Sequence, residues 1–147
     1  VTAILSLTTP IKAALAGLPA LNGGKVYRGR DVVLPREEQR GIRINTVRHA
    51  GKALDMAGTH LQWTGDLAIT LMARATSKQD GEEAIDELLG PVWAALLAMP
   101  APPGANGIAL DPLIAIALDE ADQTVTTATL ALRITHITTA ADLQPAT

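Results

Sequence analysis

Three histidines, His49, His60 and His136, are the side chains of this 147-residue chain that ordinarily titrate near neutral pH, which makes them the first candidates for proton transfer or metal ligation. A general base needs a group that orients it and a nucleophile within reach. None of the three stands in a motif that supplies either. The chain has no cysteine, which excludes thiolate catalysis, cysteine-ligated zinc and disulfide staples. His60 and His136 alternate with strand-forming neighbours, so each is expected to be a surface or edge imidazole. The glycines in Asn22-Gly23-Gly24 and Pro103-Gly104 belong neither to a phosphate-cradling loop ending in Gly-Lys-Ser/Thr nor to a Gly-x-Gly-x-x-Gly turn. Asp80, Glu82, Glu83, Asp86 and Glu87 fall in the first two turns of an expected helix, where carboxylates suit the positive end of the dipole, so a solvated face explains them without a cation. No catalytic, metal-binding or cofactor-binding residue is therefore assigned, and no enzymatic activity or cofactor is expected.

The arginines are the other source of function. Residues 25–52 hold eight of the twelve basic side chains and three of the fifteen acids, a segment of charge +5 in a chain of net charge −3. Such a cluster can neutralise phosphates. Tyr27 is the one aromatic within it, however, and Glu37-Glu38 interrupts the charge, so contacts with the acidic remainder of a neighbouring copy weigh more than contacts with DNA. Arg28, Arg30, Arg36, Arg40, Arg43 and Arg48 form the candidate assembly interface.

These side chains must be carried by elements that the sequence pattern locates. Thr9-Pro10 ahead of Ile11, Leu15 and Leu18 predicts a short first helix that stops between Gly17 and Pro19. Asn22-Gly23-Gly24 is a turn into a brief strand over 25–28. Residues 29–41 are charged and interrupted by Pro35, and predict a long exposed loop, after which Ile42 and Ile44 begin a second strand. Leu61, Trp63, Leu67, Ile69, Leu71 and Ala73 alternate with polar residues in the clearest strand; Gly65 in its middle predicts a bulge or bend, and the run is long enough for part of it to project beyond the core.

Asp80-Gly-Glu-Glu83 has capping-box spacing, and Ile85, Leu88, Leu89, Val92, Trp93 and Leu96 mark one face of a second helix that ends by Pro100. Gly90-Pro91 predicts a kink or local break within it. After a linker over 100–107, runs over 113–119 and 123–137 predict a closing hairpin, with Leu130, Leu132 and Ile134 buried and Thr127, Thr129, Arg133 and Thr135 opposite.

The order helix, three strands, helix, two strands predicts an α+β fold in a single domain over 1–147, with a mainly antiparallel sheet of about five strands covered by two helices. Apolar residues make up 48% of the chain, yet there is no Phe, one Tyr and two Trp, so the core must be aliphatic with Trp63 and Trp93 as its anchors. No apolar run reaches the ~18 residues of a membrane span. The opening Val-Thr-Ala-Ile-Leu lacks the basic leader of a secretory signal, so synthesis in the cytoplasm is expected.

Residues 61–138 carry a resemblance: a Trp-bearing strand from Leu61 to Leu71, an acidic helix start, an aliphatic helix ending in a proline-rich turn, and two Thr-rich closing strands. Together with the first helix at Pro10-Ile-Lys-Ala-Ala-Leu15, this organisation resembles the phage tail-terminator family, the minor tail protein U-like or tail-completion proteins. That family has no invariant catalytic signature. The resemblance implies a structural virion protein that forms a hexameric ring on the head-proximal end of the tail tube and stops tube growth. Its implied partners are further copies of itself, the tail-tube protein and a head connector, with DNA passing through the lumen without sequence-specific contacts. A head-to-tail joining protein of the neck, and a small ligand-binding or enzymatic α+β domain, remain open beside it.

Overall fold

Period-two alternation becomes strand and period-3.6 alternation becomes helix in the order expected. The computed structural model describes residues 6–29, 32–101 and 105–144. Thr8–Ala16 (α1) is followed by a 3-10 turn, Pro19–Leu21, and then by Val26–Arg28 (β1), Arg40–Ala53 (β2) and His60–Arg74 (β3). Gly81–Ala98 (α2), Ala105–Leu118 (β4) and Val125–Thr139 (β5) follow. The five strands form one mixed sheet in the order β1-β2-β3-β5-β4, antiparallel throughout except that β1 runs parallel to β2. Among the described residues this is an α+β fold with two α-helices on one five-stranded sheet.

Both helices pack on one face because each has one apolar stripe to bury. Ile11 and Leu15 of α1 and Ile85, Leu88, Val92 and Leu96 of α2 meet Ile42, Ile44, Leu67, Ile69, Leu71, Leu130, Leu132 and Ile134 in a single aliphatic core. The start of α2 is fixed by the Asp80 carboxylate, which accepts a hydrogen bond from Glu83 N at 2.8 Å. Helix α2 runs unbroken through Pro91, contrary to the expected break. Gly90 and Pro91 lie on its exposed face, where water can take the backbone carbonyl that proline leaves without a donor. Trp93 and Trp63 are both half-buried, and Trp93 packs against the rim of the core. Trp93→Ala should therefore cost about 2 kcal/mol in denaturant unfolding, below the ~3–5 kcal/mol of a fully buried aromatic; an unchanged midpoint would refute the contact.

The segment over 32–39 crosses the opposite face of the sheet instead of standing clear of it. Leu34 is buried there with Met72 and Val125, and Tyr27 packs beside them. Arg30 lies outside the described residues, as do Asp31 and the Pro103-Gly104 pair. Strand β4 begins at Ala105, inside the expected linker, and runs past Pro112. Pro112 is tolerated because β4 is an edge strand and its pairing with β5 is irregular between Leu110 and Ile114.

The bulge expected at Gly65 is in the partner strand instead. Gly65 pairs regularly with His49 and with Ile134, while the register shifts between Thr46 and Arg48 and leaves Val47 unpaired. Gly65 serves space rather than bending: a Cβ there would lie 2.4 Å from His49 Nε2. Gly51 does the same for Trp63, whose ring carbons would be 2.8 Å from an added Cβ. On β2 the core stops at Ile44 and on β3 it starts at Leu67, so the far ends of these two strands form an arm beyond the helices.

Candidate assembly surface

The described arginines of the basic segment do not converge on one patch. Arg28 is exposed and donates to Thr9 Oγ1 at 2.7 Å; Arg36 is exposed in the crossing segment; Arg48 is exposed on β2 in the arm. Arg40 is buried, and its guanidinium donates to Ala20 O at 2.8 Å and to Glu87 at 2.6 Å. The hydrogen bond from Arg40, with a second from Gln79, holds the Glu87 carboxyl below its ordinary pKa. Arg43 is half-buried, donates to Val32 O at 3.0 Å and lies 3.8 Å from Asp119. Arg40 and Arg43 thus tie the subunit together, and Arg28, Arg36 and Arg48 are left with exposed charge.

Arg74 does a similar job that sequence reasoning missed. From the end of β3 it donates to Asp122 and to Thr124 Oγ1, each at 2.7 Å, and to Leu34 O at 3.2 Å and Pro35 O at 3.3 Å. It fastens the crossing segment and the β4–β5 turn to the sheet, and the Asp122 carboxyl is held down at about 2 by Thr124 first and Arg74 second. Its place in the alternation, opposite Ala73, was the available signal: it assigned Arg74 to the face away from the helices. Tyr27 adds a further tie by donating to Glu38 at 2.5 Å. Burial first and this carboxylate second push its phenol up to about 12.

The histidines separate into two kinds. His60 is on the arm near the β2–β3 turn, 3.1 Å from Asp55, whose carboxyl is lowered chiefly by Thr59 and then by His60. His136 is 1% exposed, which corrects the expectation of a surface or edge imidazole. It shares the parity of Leu130, Leu132 and Ile134, so the alternation itself placed it on the core face. His49 lies beside it with ring centroids 5.5 Å apart, and Trp63 is 6.5 Å beyond and donates from Nε1 to Thr138 Oγ1 at 2.9 Å.

Neither ring nitrogen of His136 has a hydrogen-bond partner among the described residues, nor has His49 Nε2. Burial and then the neighbouring His49 lower His136 to about 4; burial also lowers His49, with Asp66 opposing. Neutral imidazoles here act as packing groups. Among the described residues no three His, Asp or Glu side chains are placed to hold a metal ion. No described helix is long and apolar enough to cross a membrane.

Comparison with solved structures supplies what the side chains alone do not. A chain from the virion of a native gene transfer agent particle superposes with a TM-score of 0.58 at 16% sequence identity, over 92% of this chain and 95% of that one. The two chains share a fold. Near-complete coverage of both means that the likeness spans helices and sheet together, not a common hairpin. The α+β architecture that the family resemblance implied is the architecture found. The PVC sheath/tube terminator of an extracellular contractile injection system, in its extended state, is also similar at 13% identity and a TM-score of 0.47, over 98% of this chain and 60% of that one. No protein-family model and no curated protein matches the chain.

Proposed function

We propose that this chain is a structural virion protein of the tail-terminator kind, which acts by assembly and catalyses no reaction. Its copies close a ring, six to a turn, on the head-proximal end of a tail tube, end tube growth and present a surface to the head connector. Viral DNA passes through the lumen without sequence-specific contact. The observation that carries the reading is the fold shared end to end with a virion chain of a gene transfer agent particle. Two features of this chain support it. His136 and the paired arginines serve packing, and the other described arginines of the basic segment, Arg28, Arg36 and Arg48, are exposed in a protein whose other parts are acidic.

Electron microscopy of the purified protein tests the reading, with six-fold rings of tube-sized opening as the expected result. A protein that stays monomeric both alone and with tail tubes would overturn it. Reversing Arg28, Arg36 and Arg48 together to Glu should leave the melting curve near wild type, since exposed charges add only ~0–1 kcal/mol each, yet should make assembly fail and lose its salt dependence. Arg40 is left unchanged in this variant because a carboxylate there would face Glu87 across a buried contact. Normal tails from the triple reversal would return these arginines to the status of a solvated surface.

A further inference from the structure

The sheet has two unpaired edges, and they differ in charge. β4 is the outer strand on one side, while on the other side β1 pairs only with Ile42, Arg43 and Ile44 and leaves β2 from 46 to 53 open among the described residues. Every charged side chain of β2 is basic, Arg40, Arg43, Arg48 and Lys52, and the single charged side chain of β4 is Asp111.

On the face away from the helices these edges terminate one row of alternating charge. Arg48 pairs with Asp66, and Asp66 with Arg133, whose Nε donates to the Asp66 carboxylate at 2.9 Å. Arg133 pairs with Ala109, and Asp111, two residues along β4, adds its charge to the field at Arg133. The row therefore runs basic, acidic, basic, acidic. Its ends, Arg48 and Asp111, are exposed and form no ion pair among the described residues, unlike the two between them.

We propose that residues 105–111 of β4 of one copy pair antiparallel with the open stretch of β2 of the next copy, so that the sheet continues from subunit to subunit with Arg48 diagonal to Asp111. Successive antiparallel pairing makes β2 and β4 run in opposite directions within a subunit. A neighbour related by rotation about an axis along the strands keeps that direction, so its β2 meets this β4 antiparallel, as a closing heterologous contact requires. Pairing β4 with β4, or β2 with β2, across a two-fold axis would set like charges opposite one another, which destabilises a strand pair. The bulge at Val47 and the irregularity between Leu110 and Ile114 both lie on the core side of the row's Arg48–Asp66–Arg133 level, so both edges interrupt their ladders close to one level. Joining also covers the exposed Val47 in the open stretch of β2.

The inference rests on the ring reading for closure, and its test separates the two. Ala50 and Gly107 lie at one level on the same face, through Thr64 and Thr135, and the chain has no native cysteine to interfere. With a short bis-maleimide, Ala50→Cys/Gly107→Cys should give a ladder of multimers and each single variant only monomer, while a mixture of the two single variants should give dimers. Arg48→Asp should abolish the ladder in the double-cysteine background, and adding Asp111→Arg should restore it. Self-coupling of either single variant, no ladder, or no rescue by the charge swap overturns the pairing. Micrographs of the same samples report rings independently: rings without the ladder refute the pairing and spare the ring, and absence of both sinks both.

Discussion

Acidification from pH 7 to pH 4 should lower the melting temperature progressively, and His136→Leu should remove most of that dependence. In the unfolded chain the imidazole takes up a proton near its ordinary value of 6.5, whereas in the fold His136 takes it up only at about 4. Between those values the unfolded state binds more protons than the native state, so stability is fully present above pH 6.5 and declines as pH falls through the window. At 1.36 kcal/mol per pKa unit the loss approaches ~3 kcal/mol, or roughly 6–12 °C for a domain of this size. His49, lowered for the same reason, adds in the same direction. The carboxylates held down by Arg40 and Arg74 begin to lose their contribution only at the foot of this window, as pH falls below their ordinary carboxylate values, and most of their loss follows at lower pH. Because both His136 nitrogens lack partners, an apolar side chain of similar volume should be neutral or stabilising at pH 7. An equal acid slope in wild type and His136→Leu would refute the assignment.

Gly24→Ala should be the most damaging glycine-to-alanine change among the described residues. Gly24 follows the 3-10 turn, with its N–H bonded to Leu21 O at 2.9 Å, and a Cβ there would lie 2.0 Å from the backbone oxygen of Arg40. A side chain could rotate away from such a clash, but a backbone carbonyl at the head of β2 cannot. Relief requires moving β1 from β2, which strains the parallel pairing of Val26 with Ile42 and the hydrogen bond from Ile42 N to Lys25 O. Overpacking of this kind costs about 3 kcal/mol or more, seen as a fall in melting temperature of roughly 6–12 °C. Gly17→Ala is the control, since nothing lies within 4 Å of its added Cβ and its φ is negative. Similar melting curves for the two variants would show that the contact at Gly24 is misjudged.

The parts of this fold legible in the sequence are those where one local rule decides. The Leu61-to-Ala73 alternation, the Asp80 cap and the apolar stripe of α2 each describe a half-buried element, and these gave the element order and the fold class. What escaped depends on partners distant in the chain. Arg40 reads as a solvated charge until Glu87, 47 residues away, meets it, and Leu34 reads as loop until Met72 and Val125 enclose it. The start of β4 was missed because Ala105 to Leu110 sets a single β-branched residue, Ile108, among alanine, asparagine and glycine, and its pairing with β5 supplies the order that propensity does not. The basic segment was legible as composition, but which of its arginines face outward was decided by the acids that tertiary folding brought to Arg40 and Arg43.

The arm formed by the far ends of β2 and β3 has a consequence for how the molecule comes apart. Its packing is its own, with His49 seated over Gly65, Trp63 over Gly51, and Trp63 tied to Thr138 on β5, while the aliphatic core ends short of it. A helix-backed part and a ring-stacked part then share one sheet, and the ring-stacked part can open while the helix-backed part stays closed. Mild acid acts on the imidazoles of the second part alone. Amide protons at the tip should therefore exchange early while those beneath α2 remain protected, so the subunit can present a loosened or a set arm to its neighbours without losing its fold.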